Sequence, residues 1–515
     1  MALAFVVVAL LAIYAHAAMQ RAIPVVPPFN APNEPIYAQN GTRLPPLTTV
    51  YTFNQLKDHT NPSLGTFAQR YWMNWQYYNP GGPIVLFTPG EENAANYTGY
   101  LTNSTLNGLL AQQQNGATIV LEHRFFGLSN PYPDLSSQSL ALLTIQQAID
   151  DLVYFAQNAN LPMPGGDKVK PDTTPWILIG GSYSGGLTSW TMVNKPGVFY
   201  AGYSSSGVVQ AMDNYWAYFK PVQEYMPQNC SSDVQKVIAY LDALYAANAT
   251  EELQELKTMF GLGGLSHIDD FAGALLANLQ DWQSIQPFTG PGALFYQFCD
   301  ALEVKDGQSA DKNGWGLEHA IEAWGAFWNS TYYQHECGNT DPEHVPTCLG
   351  TYNASQPYWT STAIDNSARS WIWIVCNQVG WYPDGPPITQ PAIVSRILTL
   401  EYFQRQCINM FPETFSSPPK PNTEQVNEDY HGWSVEVDRL FFANGQRDPW
   451  REVTVSSDFI VKTSTDTQPI YVSDGFHCSD LKVLSGTDDP TIAEVQNAAL
   501  QYMETWLAAW PGTKS

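Results

Sequence analysis

Residues 177–187 read ILIGGSYSGGL, an apolar run that breaks abruptly into glycine and serine. A short apolar run that ends in glycine is typical of a buried strand in a parallel sheet. A serine directly after such a strand, in a G-x-S-x-G setting, is the nucleophile elbow of an α/β-hydrolase, and the glycines relieve the crowding of the bend. The stretch therefore predicts a strand, a serine nucleophile and a helix. The alternative is that its serines only cap a helix that begins near Leu187.

Two serines compete for the tip of this bend. Ser182 has Gly180 two residues before it but Ser184 two residues after it. Ser184 has Gly186 two residues after it but a serine two residues before it. The consensus alone leaves both serines open. Ser182 is favoured because it follows the apolar run immediately.

Further apolar runs extend the same pattern along the chain. They end in glycine or polar residues, as strands do when they deliver functional loops to one edge of a sheet. The predicted strands lie within 83–93, 117–127, 174–182, 436–450 and 468–481, and the predicted helices of this part within 137–159 and 491–510. Strands that alternate with helices predict an α/β fold with a parallel sheet.

The chain divides into regions of different character. Residues 210–410 have apolar residues at helical spacing and hold most of the cysteines. We interpret them as a mainly helical, disulfide-containing cap inserted into an α/β-hydrolase domain formed by 46–209 and 411–515. Residues 1–17 are an apolar run that ends in a small-x-small pattern, which predicts a secretory signal peptide. Residues 18–45, rich in proline and alanine, are expected to be a leader or short pro-segment.

A serine nucleophile needs a base and a carboxylate that orients the base. In α/β-hydrolases the acid and then the histidine follow the serine along the chain. Asp448 and His477 each come just after a predicted strand, at the sheet edge where this class of fold keeps its site. We therefore predict a triad of Ser182, Asp448 and His477. Asp474 and Asp480 lie too close to the histidine in sequence to orient its ring and are expected to be turn or cap residues.

Composition points to a secreted protein. Acidic residues outnumber Lys and Arg by 48 to 23, and the net charge of −25 disfavours a nucleic-acid partner. After the N-terminal run no stretch of about 18 apolar residues follows, so no membrane span is expected. Seven N-x-S/T sequons predict glycosylation at Asn40, Asn96, Asn103, Asn229, Asn248, Asn329 and Asn353.

The seven cysteines fit an oxidising compartment. Six of them lie between 230 and 407, so this region is expected to carry the disulfides. The predicted pairs are Cys230–Cys299, Cys337–Cys348 and Cys376–Cys407, which leaves Cys478 free.

Six blocks of sequence resemble, in order, the signature blocks of one family of serine peptidases. The blocks are FNQLKDHTNPSLGTFAQRYWMN (53–74), TPGEEN, LEHRFFG, GGSYSGGL, NGQRDPW and DGFHCSDL. The family includes lysosomal Pro-X carboxypeptidase, dipeptidyl peptidase II and the acid prolyl endopeptidases secreted by filamentous fungi. The resemblance runs from about residue 45 to the C-terminus, but the middle region matches only in being helical and cysteine-bearing. This chain has GGSYSG where the family commonly has GGSYGG.

The resemblance implies the same triad and adds an oxyanion hole. One donor would be the backbone N–H of Tyr183, and the second would come from Gly90 or Glu91. Glu91 also corresponds to a family glutamate near the substrate terminus, where it would bind a free α-amine. The equally weighted alternative is that Glu91 only stabilises its loop.

The resemblance also implies how the substrate is held. Trp450 would form a wall of the pocket for the residue before the cut, which in this family is preferably proline, because a flat proline ring packs well on aromatic rings. Arg124 is expected to form a buried salt bridge instead of contacting substrate. His59 and His123 are expected to be structural.

These observations predict a secreted, acid-active serine peptidase that cuts on the carboxyl side of proline in peptides and in proline-rich or partly unfolded proteins. Whether it acts as an endopeptidase, a carboxypeptidase or a dipeptidyl peptidase is left open, as is a monomer or homodimer. A vacuolar or lysosome-like compartment is the alternative location. The rival functions are a secreted esterase or lipase and a catalytically silent binding protein. No sequence motif implies a metal or cofactor.

An acid-active triad raises a difficulty, because the catalytic histidine must be neutral and its usual pKa is about 6.5. We favour the hypothesis that desolvation lowers the pKa of His477. The alternative is that activity rests on a small neutral fraction of this histidine.

Overall fold

The structure, a computed structural model, describes residues 26–338 and 340–512. The predicted signal peptide and the first part of the predicted leader lie outside these residues. The strands are β1 (Tyr51–Leu56), β2 (Thr66–Asn74), β3 (Ile84–Thr88), β4 (Ala117–Leu121), β5 (Trp176–Gly181), β6 (Ala201–Ser205), β7 (Met212–Asn214), β8 (Val304–Lys305), β9 (Gln308–Ser309), β10 (Gly380–Tyr382), β11 (Leu440–Gly445) and β12 (Ile470–Ser473).

The α-helices of the described residues alternate with these strands in the first and last parts of the chain and dominate between β6 and β11. They are α1 (Leu106–Gln113), α2 (Ser137–Leu140), α3 (Ile145–Asn158), α4 (Tyr183–Asn194), α5 (Phe219–Tyr225), α6 (Gln228–Ala246), α7 (Thr250–Met259), α8 (Ile268–Gln280), α9 (Leu294–Glu303), α10 (Leu317–Phe327), α11 (Tyr333–Cys337), α12 (Val345–Leu349), α13 (Pro357–Thr360), α14 (Ser367–Ile374), α15 (Leu400–Met410), α16 (Thr423–Tyr430), α17 (Val483–Asp488) and α18 (Pro490–Ala508).

The main sheet has the strand order β1-β2-β4-β3-β5-β6-β11-β12. Strand β2 pairs in antiparallel fashion with both β1 and β4, and the remaining neighbours are parallel. The carboxyl ends of β5, β11 and β12 therefore lie along one edge of the sheet. This mixed sheet, with the serine after the fifth strand, is the α/β-hydrolase fold that the sequence predicted.

Helices cover both faces of this sheet, and its central strands β3, β4, β5 and β6 are buried at every position. Successive side chains of a strand point to opposite faces. Leu178 belongs to a core with the α3 residues Ile149 and Phe155. Ile177 and Ile179 belong to a second core, which includes residues of α1 and α18. The sheet therefore holds the end of β5 rigidly, which fixes the position of the following serine.

The prediction of one helix over 137–159 was too long. Two helices, α2 and α3, occupy this stretch. Thr144 separates them, and its hydroxyl accepts a hydrogen bond from the backbone N–H of Gln147, as an N-cap residue does. Because the helical conformation is interrupted before Thr144, α3 begins as a separate helix and packs along the sheet.

The region between β6 and β11 is cross-linked by the disulfides that the cysteine pattern predicted. The three disulfides are Cys230–Cys299, Cys337–Cys348 and Cys376–Cys407, and Cys478 is free and buried. Six of the seven predicted glycosylation asparagines are exposed, and Asn229 is half-buried. Glycosylation itself stays a prediction. Within the described part of the chain no helix is long and apolar enough to cross a membrane.

The described end of the predicted leader lies against the sheet. Between 26 and 45 the chain forms a single bridge, Tyr37 with Arg43, and neither helix nor longer strand. Val26 is fully buried, and a Cβ on Gly181 would lie 2.8 Å from its side chain. The hydroxyl of Tyr97 donates a hydrogen bond to the Val26 carbonyl at 2.9 Å. The described end of this segment is therefore held against the sheet by Val26.

Candidate active site

Ser182 lies at the tip of a sharp bend between β5 and α4. Its backbone angles are φ 62° and ψ −126°, a conformation that non-glycine residues rarely adopt and that costs about 1–3 kcal/mol. Two hydrogen bonds hold the bend, from Ser182 N–H to the Ser205 carbonyl (2.8 Å) and from Gly186 N–H to the Ser182 carbonyl (3.0 Å). Strain held in this way at a strand–helix junction is the geometry of a nucleophile elbow.

The bend also shows why the glycine consensus could not choose between the serines. A Cβ at Gly180 would lie 2.0 Å from the Ser184 carbonyl oxygen, and a Cβ at Gly185 would lie 2.7 Å from the Ser205 carbonyl oxygen. A Cβ at Gly186 would likewise lie 2.7 Å from the Val208 carbonyl oxygen, so the positions that demand glycine include two before, three after and four after Ser182. Ser184 is buried inside α4 with its hydroxyl towards Gly90, where a Cβ would lie 2.4 Å from that hydroxyl.

The structure brings the three predicted catalytic residues together. His477 Nε2 lies 2.6 Å from Ser182 Oγ, and His477 Nδ1 lies 2.8 Å from Asp448 Oδ1. All three side chains are buried, with exposed fractions of 1% or less. Hydrogen bonds between the two loops hold the acid and the base in register, because Gln446 N–H donates to Ser473 and Arg447 N–H donates to Gly475.

The hypothesis of a lowered histidine pKa was wrong. Burial opposes the charged form of His477, but the charges and hydrogen bonds of Asp448 and Cys478 together outweigh it. The pKa of His477 is therefore well above its usual value. The sequence pointed to burial but could not weigh it against a carboxylate 2.8 Å away.

The predicted oxyanion loop lies beside the elbow. Tyr183 is the first residue of α4, so its backbone N–H has no carbonyl one turn earlier to bind. Gly90 has φ 81°, and a Cβ there would lie 3.2 Å from the Tyr183 ring. The loop that holds Gly90 therefore contacts the start of α4 next to Ser182, as an oxyanion loop must.

Glu91 is a buried carboxyl group next to the triad. It is fully buried, and neither of its carboxyl oxygens has a hydrogen-bond partner among the other described residues. Burial raises the pKa of Glu91 well above its usual value, whereas a hydrogen bond with its own backbone N–H and the charge of His477 oppose that rise. The group is therefore neutral at acid pH and able to donate a hydrogen bond.

Trp450 is part of an aromatic cluster behind the catalytic acid. Its ring centroid lies 5.4 Å from Tyr215, 5.3 Å from Tyr218 and 5.8 Å from Trp381. Its backbone N–H donates to Asp448 Oδ1 at 2.8 Å, so the cluster is fixed directly to the triad. Its indole N–H donates to Gln283 at 2.8 Å.

Other charged residues that the sequence singled out lie in structural networks. Arg124 is fully buried and forms a salt bridge with Asp151, as expected, and His59 contacts the same carboxylate at 2.7 Å. His123 is buried at 3.2 Å from the Tyr183 hydroxyl, and burial lowers its pKa to about 4. These residues support the fold around the site without joining the triad.

Both aspartates that flank His477 lie in turns, as expected, but their side chains differ in burial. Asp474 is exposed, with its N–H bound to Thr491. Asp480 is buried and accepts hydrogen bonds from the hydroxyls of Tyr203 (2.5 Å) and Ser205 (2.7 Å). Sequence distance alone could not show that the Asp480 side chain binds residues of β6 and not the ring of His477.

Sequence reasoning missed Gln283 and Gln286, two residues between β6 and β11 that contact the site. Gln283 binds the indole of Trp450, and Gln286 binds the carbonyl oxygen of His477 at 2.9 Å. Neither residue follows a strand or belongs to a motif, so no sequence signal marked them.

Comparison with known proteins agrees with this geometry. The family described as "Serine carboxypeptidase S28" matches residues 55–499. "Serine protease vicPa" of Bipolaris victoriae (strain FI3) is 34% identical, with 90% of this chain and 89% of the relative aligned. "Probable extracellular serine carboxypeptidase" of Arthroderma benhamiae (strain ATCC MYA-4681 / CBS 112371) is 31% identical, over 86% of this chain and 64% of the relative. "Thymus-specific serine protease" of Homo sapiens is 25% identical, over 90% and 87%. The chain belongs to the serine carboxypeptidase S28 family and is a serine peptidase.

Proposed function

We propose that this serine peptidase is secreted and cleaves peptide bonds on the carboxyl side of proline through an acyl-enzyme, with Ser182 as nucleophile, His477 as base and Asp448 as the orienting acid. The observation that carries the proposal is the aromatic cluster of Trp450, Tyr215 and Tyr218, which is bonded to the same Asp448 oxygen that orients His477. A flat, apolar proline ring has the shape and chemistry that such rings accept.

The chemistry follows from the contacts of the triad. His477 Nε2 takes the proton of Ser182 Oγ as the oxygen attacks the carbonyl carbon, and Asp448 stabilises the resulting imidazolium. The negative oxygen of the tetrahedral intermediate would be held by the N–H of Tyr183 and an N–H of the Gly90–Glu91 loop. His477 then gives the proton to the leaving amine. In the second half of the reaction water attacks the acyl-enzyme, and His477 takes the proton of the water and returns it to Ser182 Oγ.

The mode of cleavage depends on what holds the substrate terminus. Glu91 favours a binding site for a substrate terminus next to the triad, because its carboxyl group is buried and without a partner among the other described residues. An arriving α-ammonium group would favour release of the Glu91 proton to solvent and form an ion pair with the carboxylate, which suits a dipeptidyl peptidase. A substrate carboxylate would accept a hydrogen bond from the protonated acid, which suits a carboxypeptidase.

Three proline peptides at pH about 4.5 test the function and the mode together. One has both ends blocked, one has only a free amine and one has only a free carboxylate, and the cut sites are read by mass. Cleavage after proline supports the proposal, and the peptide that is cut fastest identifies the mode. Hydrolysis of p-nitrophenyl esters without cleavage of any of the three peptides would contradict it.

Replacement of Trp450 tests the proposed pocket wall. For Trp450→Leu we expect the ratio of kcat/KM for a proline substrate over its alanine analogue to fall about tenfold, because the aromatic surface is lost. Trp373→Leu is the matched control, since this buried tryptophan packs on Phe411 away from the triad. It should leave the ratio unchanged. An equal loss on both substrates in Trp450→Leu would remove the pocket assignment.

Acid conditions are expected to favour the folded state. Burial raises the pKa of Asp270 and Asp480 to about 6 and that of Glu303 and Asp384 to about 7. These groups keep their protons in the folded protein at pH values where the unfolded chain has lost them. The unfolded state then binds fewer protons, so the free energy of unfolding falls as pH rises from about 4 to 7.

Urea unfolding at pH 4.5 and 7.5 measures this dependence, and we expect the lower midpoint at 7.5. Asp480→Asn should flatten the dependence, whereas the exposed Asp474→Asn should leave it as in the parent. A midpoint that rises with pH would contradict the account. If the account holds, activity at acid pH rests on the neutral fraction of His477, and the fold is most stable at acid pH.

A further inference from the structure

The connection between α8 and α9 reaches from the helical region to the catalytic loops. We call residues 281–293 the cap connector; it begins with a 3₁₀ turn at Asp281–Ser284. The Trp282 indole N–H donates to the carbonyl oxygen of Arg447 at 2.7 Å, and its ring lies 5.3 Å from that of Phe476. The connector therefore contacts both the loop that carries Asp448 and the loop that carries His477.

Gln286 makes the most direct of these contacts. Its Nε2 donates to the carbonyl oxygen of His477 at 2.9 Å, and its Oε1 accepts from Ser479 Oγ at 3.0 Å. The side chain is only 5% exposed. Two backbone hydrogen-bond contacts with Thr289 hold Gln286 in a turn of its own, from Gln286 N–H to Thr289 Oγ1 and from Thr289 N–H to the Gln286 carbonyl, each at 2.9 Å.

The turn at His477–Ser479, to which Gln286 is hydrogen-bonded, has a strained backbone. Cys478 has φ 54°, in the left-handed region that non-glycine residues rarely adopt. Its N–H donates to Ser206 Oγ at 2.9 Å, and Phe476 N–H donates to Ser479 Oγ at 3.0 Å. Gln286 thus bonds to the backbone of His477 and to the side chain that closes the turn around it.

We propose that Gln286 is a positioning residue of the serine peptidase: its amide bridges the His477 carbonyl and the Ser479 hydroxyl and thereby keeps His477 Nε2 within reach of Ser182 Oγ. Gln286 touches neither the substrate nor the reacting atoms. A shift of about 1 Å in a catalytic group can lower the rate about 100-fold, so loss of a residue that fixes this turn is expected to lower the rate strongly. The proposal needs only the serine peptidase activity and is independent of any preference for proline.

Two substitutions separate positioning from mere support of the fold. Gln286→Leu has nearly the same volume but removes the donor and the acceptor. Gln286→Glu keeps both while the acid is protonated, because its O–H can donate to the His477 carbonyl and its C=O can accept from Ser479. Once ionised it has no donor and faces a carbonyl oxygen, so the bridge is lost.

The experiment measures the rate of fluorophosphonate labelling and kcat/KM from pH 4 to 8, each as a ratio to the parent at the same pH. The ratio removes the titration of His477 and Glu91, which all variants share. Gln404→Leu is the control, since this buried glutamine donates to the Pro419 carbonyl away from the triad.

We expect Gln286→Leu to label about 10- to 100-fold more slowly at every pH, with the loss in kcat and little change in KM. Gln286→Glu should stay within about threefold of the parent at pH 4.5 and approach Gln286→Leu as pH rises, while Gln404→Leu stays within threefold throughout. The proposal is overturned if Gln286→Leu labels within threefold of the parent. If Gln286→Leu does not fold, a pH-independent ratio for Gln286→Glu overturns it instead.

Discussion

Ser182→Ala is expected to lower kcat by at least about 10⁴-fold while the protein stays folded, because it removes the nucleophile of the acyl-enzyme. The residual rate would come from the oxyanion hole and from substrate binding alone. Ser182 Oγ is the hydroxyl that lies 2.6 Å from His477 Nε2, so the base has no other oxygen at this distance among the described residues.

Ser184→Ala is the matched control for this loss. Ser184 is equally buried and lies two residues further along the chain, inside α4, but its hydroxyl points towards Gly90 and has no hydrogen-bond partner among the described residues. We expect its kcat to stay within about threefold of the parent, since family members commonly have glycine at this position. Full activity in Ser182→Ala with loss in Ser184→Ala would reverse the assignment of the elbow.

Asp448→Asn is expected to lower kcat by about 10³- to 10⁴-fold and to move the acid limb of the pH profile. The amide can donate to His477 Nδ1, which favours the tautomer that carries its proton on Nε2 and cannot accept the serine proton. The charge that raises the pKa of His477 is also removed. The acid limb of kcat/KM should therefore lie above pH 6.5 in the parent and shift to lower pH in the variant.

The pH profile distinguishes this account from a simple loss of packing. Asp474→Asn, three residues before His477 and exposed, should leave both the rate and the acid limb unchanged. An acid limb that stays in place in Asp448→Asn would mean that another group sets the pKa of the base. An acid limb well below 6 in the parent would restore the view that burial dominates His477.

The sequence made the central sheet and the triad predictable for one physical reason. Strands β3, β4, β5 and β11 are buried on both faces, so they are apolar runs, and the functional loops begin where these runs end. Strand β6, with the sequence AGYSS, was missed because it is small and half polar. Its serines are buried through bonds formed in the fold, such as that from Ser204 Oγ to the Gly185 carbonyl.

The remaining parts of the site could not be inferred because they depend on contacts between distant segments. Gln286 and His477 are 191 residues apart, and nothing in the cap connector indicates that they meet. Asp480 is three residues from His477, yet its partners lie on β6. The pKa of His477 depends on a balance between burial, which lowers it, and Asp448 and Cys478, which raise it, and the position of Asp448 beside the ring is set only by the fold.

The most direct test of the account is to map the site of a fluorophosphonate adduct. The parent protein is labelled, digested and sequenced by mass spectrometry across residues 177–187, with His477→Ala as the control for activation of the nucleophile. We predict a single adduct on Ser182 in the parent and labelling at least about 100-fold slower in the control. An adduct on Ser184, or equal labelling of Ser182 without His477, would contradict the triad.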